Sequence, residues 1–482
     1  RIPKVAFVFS GQGPQWWAMG RELISSEPVF RETIAECDRV MAAEGSGWSL
    51  LEELTADEDQ SRVDETQLAQ PMIFSIQVAL YKLWQSWGVH PDGVVGHSVG
   101  EVGAAFACGS LSFEDAARVI FHRGRCMSSA KGGGKMLVVA LPLEDVESLI
   151  EQHGEGVSIA AVNSPSSVTL SGDAAPLEEI AAQLEKRDVF HRFLKVGHAF
   201  HSRDMEPSRE GLVAALAGVQ AQAAAIPVYS TVRGSAIDGT EFGGDYWWHN
   251  VRQGVRFAPA IKALIDDGFN TFLEIAPHPV LSGNLAECAQ HCDTRATAIG
   301  SLRRHEPELQ TMFKAAGALL VAGREVDLSA FVPADGRNVN LPKYAWDHGA
   351  YWNELEESKL ERTGPSPHPL LGRRQPGPNP AWRSALDMRV VRYLRDHQVQ
   401  GQALFSATSF IEMALAAANE CFQTGSYVVE ELEFQKACFL QEPERVLAQF
   451  VFDAERSSVT LSRRPDRDGE DWTQRVACEL AG

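Results

Sequence analysis

The sequence has no apolar run of membrane-spanning length, so a transmembrane anchor is not expected. Cysteine is sparse, eight in 482 residues, and the eight are scattered without a disulfide framework. Cys288-Ala-Gln-His-Cys292 lacks the further ligands that a zinc site needs, so we read reduced thiols and expect no metal. Basic residues are also short, 44 Lys and Arg against 64 Asp and Glu, for a formal charge of −20. That balance argues against a nucleic-acid partner and requires any anionic ligand to find a local basic pocket. No signal-peptide pattern precedes the first strand, initiator methionine is lacking and the chain stops at Gly482. These features lead us to expect a cytoplasmic segment of a larger polypeptide.

What is present is organised around Val94-Val95-Gly96-His97-Ser98-Val99-Gly100-Glu101. A short apolar strand meets the glycine-flanked serine, and a small-residue helix leaves it, in the outline of a nucleophile elbow. Glycines on both sides permit the sharp turn and a close pass of helix over strand. The free N–H groups of the helix start, beginning with Val99, would face an oxyanion. The same pattern also makes an ordinary turn with an incidental serine; the flanking strand and helix favour the nucleophile.

Earlier in the chain, Lys4–Phe9 reads as a buried strand, followed by the glycine-rich loop Ser10-Gly11-Gln12-Gly13-Pro14. If that loop sits at the C-terminal edge of a doubly wound sheet, the Gln12 N–H can supply a second oxyanion donor. Amphipathic patterns predict helices over Gly20–Val40 and Asp64–Trp87, with a break or a start at Pro71. Ser112-Phe113-Glu114-Asp115 predicts the cap of a helix that carries His122, Arg123 and Arg125. By composition alone an arginine such as Arg123 is more often a solvated face residue than part of a site.

From Gly132 to Val196 the pattern changes to β-α-β-β-α-β, which predicts a ferredoxin-like insert lying as a lid beside the elbow. The expected organisation is a hydrolase-like doubly wound α/β subdomain from residues 1–131 and 197–296, with the insert at 132–196. A linker over 297–365 follows, then an α+β hot-dog half-domain over 366–482, with short strands around one helix at Ser409–Glu420.

Four stretches in register, Gly11-Gln12-Gly13-Pro14-Gln15, Gly96-His97-Ser98-Val99-Gly100-Glu101, His198-Ala199-Phe200-His201-Ser202 and Leu341-Pro342-Lys343-Tyr344-Ala345-Trp346, together resemble the acyltransferase domain of a type I modular polyketide synthase. The resemblance implies transfer of a malonyl unit from malonyl-CoA, through an acyl-Ser98 intermediate, to the phosphopantetheine thiol of an acyl carrier protein, with no bound cofactor. By position it makes Ser98 the nucleophile, His201 the general base, and Arg123 the partner of the substrate carboxylate. It places the N–H groups of Gln12 and Val99 at the oxyanion, and Gln70, His198 and Phe200 on the pocket wall. No acid is evident as a third member, and a backbone carbonyl from the Ile275–Pro279 loop is expected to orient the imidazole. Phe200 and Val99 stand where methylmalonyl-selective members tend to carry other residues, which implies malonyl selectivity.

His368-Pro369-Leu370-Leu371-Gly372 and Tyr393-Leu394-Arg395-Asp396-His397 resemble the first half of a polyketide dehydratase, with His397 at the position of its base. Ser406 replaces that family's proline, and the partner aspartate would lie beyond Gly482, so no dehydration is expected from this chain. Expected partners are the carrier protein and the neighbouring ketosynthase and remaining dehydratase domains. The alternatives are a serine esterase or editing thioesterase, a methylmalonyl-selective transferase, and a scaffold without activity.

Overall fold

Apolar residues without alternation, Val5 to Phe9, suit a strand covered on both faces, and in the strand Lys4–Phe9 all five are fully buried. The computed structural model describes residues 3–481, apart from 131, 332–335, 337–338, 348, 350–352, 356–357, 360–362, 365, 367, 423–424, 442–444 and 467–470. The expected linker end at 365 therefore falls outside the described residues. The chain divides into two units, Arg1–Val339 and Asn340–Gly482.

The first unit carries β1 (Lys4–Phe9), β2 (Gly93–Gly96), β3 (Lys135–Val139), β4 (Val157–Ser164), β5 (Ser167–Gly172), β6 (His191–Phe193), β7 (Val228–Ser230), β8 (Ser235–Ile237), β9 (Phe269–Ile275) and β10 (Thr297–Gly300). Six of them form one sheet in the order β10-β9-β1-β2-β7-β8, parallel except for the β7–β8 pair. Phe9 pairs with Gly96, so the ends of β1 and β2 that launch the two glycine-rich turns lie side by side. Ligands of open α/β sheets gather at that carboxyl edge.

Strands β3 to β6 make a separate antiparallel sheet in the order β4-β5-β3-β6, with helices Leu143–Ile150 and Ala174–Lys186 between them. This is the ferredoxin-like arrangement, and its own core includes Leu137, Val146, Leu170, Leu177 and Ile180. It is fastened beside the elbow. A parallel bridge joins Ala161 to Val255, and His97 Nε2 donates to Asn163 Oδ1 at 2.8 Å.

Two helical expectations are corrected. The pattern at Gly20–Val40 resolves into two helices, Arg21–Ser26 and Pro28–Ala43, because Glu27 precedes a proline and is extended at φ −109°, ψ 106°. Conversely, Thr66–Ser86 is one helix running through Pro71. Its residues from Leu68 to Tyr81 are all buried, and that packing outweighs the one backbone hydrogen bond that proline removes.

The second unit carries β11 (Arg373–Gln375), β12 (Ala381–Leu386), β13 (Gln398–Val399), β14 (Gln402–Leu404), β15 (Val428–Phe434), β16 (Phe439–Leu440), β17 (Val446–Asp453), β18 (Ser458–Pro465) and β19 (Thr473–Ala481). Its main sheet is antiparallel in the order β11-β12-β17-β18-β19-β15. The helix Ala407–Phe422 puts Phe410, Met413, Ala414, Ala417 and Ala418 into the same core as Trp382, Phe450 and Leu461. This is the expected hot-dog half.

Candidate active site

The turn after β2 puts Ser98 at φ 52°, a left-handed conformation uncommon for a residue with a side chain. The two flanking glycines let the turn form. A Cβ on Gly100 would sit 2.1 Å from Phe9 O, and one on Gly96 would sit 2.3 Å from the Glu101 backbone. The helix Gly100–Ala107 can therefore start hard against the strand ends. Its first N–H groups are mostly used locally: Gly100 donates to His97 O, Glu101 to Ser98 O and Val102 to Val99 O. That leaves the Val99 N–H, beside Ser98, without an acceptor among the described residues, and the Gln12 N–H in the loop after β1 is likewise unspent.

His201 also has positive φ, 59°, and the two strained residues meet: Ser98 Oγ lies 2.8 Å from His201 Nε2. On the imidazole's other side, Nδ1 is 2.8 Å from Gln253 O. A carbonyl can only accept, so Nδ1 carries the hydrogen and Nε2 is left to accept from the serine. The orienting carbonyl is thus Gln253, just after the helix Gly244–Arg252, and not one from Ile275–Pro279. The latter region is organised by Glu274 instead, whose buried carboxylate accepts from Ser10 Oγ and from the N–H groups of Val280 and Leu281. Gln253 is held by the insert, because Val255 N donates to Ala160 O and Val162 N to Val255 O, both at 2.8 Å.

Arg123 is fully buried on the helix Phe113–Ser128, whose start is capped as expected by Ser112 Oγ accepting from Asp115 N. Its fork is anchored at three points: Nη1 donates to Gln70 Oε1 at 2.7 Å, Nε to Asn250 Oδ1 at 3.0 Å and Nη2 to Ser98 Oγ at 3.1 Å. Gln70 in turn reaches Gln12 Oε1 at 3.4 Å. Phe200 is buried beside His201 and stacks on His198 with ring centroids 5.8 Å apart. The His198 Nδ1 is buried and has no partner among the described residues. Ser98, His201, Arg123, Gln70 and Gln12 are thus linked directly, while His397 belongs to the other unit.

Two residues to which the sequence reading gave no role complete the network. Glu101, fully buried, accepts from Thr231 N, Tyr246 OH and Asn250 Nδ2 at 2.8, 2.7 and 2.7 Å. Asn250 also donates to Ser98 O at 3.2 Å. The sequence signal for Glu101 was its place in the elbow motif; Asn250 had none.

Burial pushes the Glu101 carboxyl up against the pull of its donors. Burial, and then the Arg123 cation, push His201 down to about 3, so its imidazole is neutral throughout the ordinary pH range. Burial also lowers Arg123, opposed by the Glu101 charge. A guanidinium keeps its proton even so, given its very high starting value.

A serine hydroxyl between a neutral, oriented imidazole and a fixed cation, next to two unspent N–H groups at a sheet edge, is equipped for acyl transfer through a serine ester. That defines the class: an α/β fold that presents one serine hydroxyl to an oriented imidazole at its sheet edge.

The comparisons with known proteins carry this further. The chain belongs to the acyl transferase domain family, whose description matches residues 6–326, and the polyketide synthase dehydratase domain matches residues 368–464. Mycoketide-CoA synthase of Mycobacterium tuberculosis (strain ATCC 25618 / H37Rv) is 35% identical over 477 residues, which cover 96% of this chain and 11% of that protein. The chain thus spans about a tenth of the length of this multidomain relative. Among solved structures, the acyltransferase domain from module 8 of the salinomycin polyketide synthase is 35% identical, with a TM-score of 0.66, over 68% of this chain and 77% of that one. A loading acyltransferase from the avermectin modular polyketide synthase is 34% identical, with a TM-score of 0.62, over 66% of this chain and 99% of that one.

Proposed function

We propose that the first unit moves a malonyl unit from malonyl-CoA to the phosphopantetheine thiol of an acyl carrier protein during polyketide assembly. The observation that carries this reading is the contact of one hydroxyl, Ser98 Oγ, with both His201 Nε2 at 2.8 Å and Arg123 Nη2 at 3.1 Å.

In the first half-reaction Ser98 gives its proton to His201 Nε2, and Oγ bonds to the thioester carbonyl carbon. The developing oxyanion lies within reach of the Val99 and Gln12 N–H groups. Collapse breaks the carbon–sulfur bond, and the departing coenzyme A thiolate takes the proton from His201. In the second half-reaction the carrier's thiol gives its proton to His201 and attacks the ester, and Ser98 Oγ leaves and recovers that proton.

Arg123 favours an acyl group that ends in a carboxylate. Its planar fork suits bidentate pairing, and a buried cation that makes no direct ion pair among the described residues gains from an anionic substrate. A carboxylate at Arg123 also offsets the cation that depresses His201, so the right substrate raises the basicity of the base as it binds. This is why we favour a transferase over an esterase or editing thioesterase, which would handle neutral acyl groups.

Malonyl over methylmalonyl follows from Phe200 beside the base, since an added methyl against a buried ring typically costs about 1–3 kcal/mol. Competition between the two esters should favour malonyl by at least about tenfold; a clear methylmalonyl preference would show that another wall sets the pocket. Discharge onto a phosphopantetheinylated carrier, and not into water, tests the transferase reading. The neighbouring ketosynthase and the remaining dehydratase domains are the further partners we propose, in the cytoplasm, with no role for nucleic acid, membrane or a bound cofactor. Among the described residues, no helix is long and apolar enough to cross a membrane.

A further inference from the structure

Asn250 is 2% exposed, and its amide uses its capacity in three directions. Oδ1 accepts from Arg123 Nε, and Nδ2 donates both to Glu101 Oε2 and to Ser98 O. Which way an amide points is set by what its neighbours can offer. Glu101 meets donors at both oxygens, one of them the backbone N–H of Thr231, which can do nothing else. The Arg123 Nε–H can only donate, so Asn250 points its oxygen at the arginine and its Nδ2 at Glu101 Oε2.

We infer that Asn250, oriented by the Glu101 carboxylate, is a positioning residue that sets the Arg123 guanidinium for the substrate carboxylate and ties it to the nucleophile's backbone. This deepens the malonyl reading and rests on it. Two anchors, Asn250 on Nε and Gln70 on Nη1, fix the fork's plane, and the third corner stays at the serine, where the acyl group arrives. An isolated arginine on a helix would have several rotamers to sample. Here the pairing geometry is set before substrate enters, which keeps the ordering cost out of binding. The contact from Nδ2 to Ser98 O links the same amide to the strained turn, so arginine and nucleophile share one reference point.

The relay can be cut at either end. Asn250→Ala removes the anchor on Arg123 Nε. Glu101→Gln leaves the shape intact but places an NH2 group among donors. Facing Thr231 N–H it would repel a backbone that cannot turn. It therefore faces Asn250 Nδ2, donor against donor, so the amide either loses that contact or flips and presents N–H to Arg123 Nε–H. Both variants should lower the ratio of malonyl to acetyl loading by about tenfold, mainly through a higher KM for malonyl-CoA, with acetyl loading falling less because only the contact to Ser98 O bears on it. Adding Arg123→Ala to Asn250→Ala should lower the ratio no further than Arg123→Ala alone. If Asn250→Ala does not fold, Glu101→Gln gives the same reading.

A second readout is independent of turnover. In arginine-labelled protein, the Arg123 Nε–H, assigned by its loss in Arg123→Lys, should exchange slowly in the wild type and rapidly in Asn250→Ala. Equal losses of malonyl and acetyl loading, an unchanged ratio, or an Nε–H that stays protected in Asn250→Ala would overturn the inference. A wild type without malonyl preference, but with the exchange change intact, would leave the relay standing and remove the malonyl reading.

Discussion

His201 and His397 make the same local bond. Each ring sets Nδ1 against a backbone carbonyl, Gln253 O at 2.8 Å in the first unit and Leu404 O at 2.7 Å in the second, so each presents a bare Nε2. Beyond that they part. His201 is 5% exposed, with its Nε2 on a serine and an arginine within one hydroxyl of it. His397 is exposed, and its Nε2 has no partner among the described residues. Fixing a tautomer takes one carbonyl and is a local matter. Fixing proton affinity and the identity of the substrate takes burial and charged neighbours, which a single segment of sequence does not supply.

The contrast can be broken by experiment, most sharply at the rings themselves. His201→Ala should slow malonyl loading of Ser98 by about 10²–10⁴-fold, since the serine then has no proton acceptor. His397→Ala should leave loading unchanged, and an equal loss in both would mean that the two units do not work separately. Next in size, Arg123→Ala should cost malonyl loading about 10- to 100-fold, the loss of a charge-assisted pair, while acetyl loading falls much less.

The pH dependence sharpens the comparison. A histidine at its ordinary value would lose about thirtyfold of its neutral form by pH 5. His201, pushed down to about 3, stays neutral as the pH falls from 8 to 5, so kcat/KM for loading should show no acid limb near 6.5. A limb there would show that the ring is not shielded as described. The smallest effect belongs to the second unit, where Ser406 Oγ accepts from Ser409 N at 3.2 Å and caps the helix Ala407–Phe422. Ser406→Ala should destabilise that unit by about 1 kcal/mol in thermal unfolding and leave loading untouched.

The same division explains what was legible in the sequence. The elbow could be read because its residues are contiguous in the chain: a Cβ on Gly96 would sit 2.3 Å from the Glu101 backbone and one on Gly100 2.1 Å from Phe9 O, so only glycine fits on either side of the serine. The insert could be read because alternation and helix period change over one continuous stretch. Gln253 and Asn250 could not, since one acts through a carbonyl every residue has, and the other is 127 residues from the arginine it holds. Pro71 was misread as a break or a helix start because local propensity says nothing of a helix buried along most of its length. At Ser406 the sequence showed only that a proline was replaced. The hydroxyl instead takes over the helix start, a function that is visible only once the helix boundary is known.

The most direct test of the account is the mass of the intact protein after brief exposure to equal concentrations of malonyl-, methylmalonyl- and acetyl-CoA. The account predicts one malonyl ester on the wild type, removed by adding a phosphopantetheinylated carrier protein and absent from a folded Ser98→Ala variant. A malonyl ester on Ser98→Ala at wild-type level, or a wild type that takes up acetyl as readily as malonyl, would contradict it.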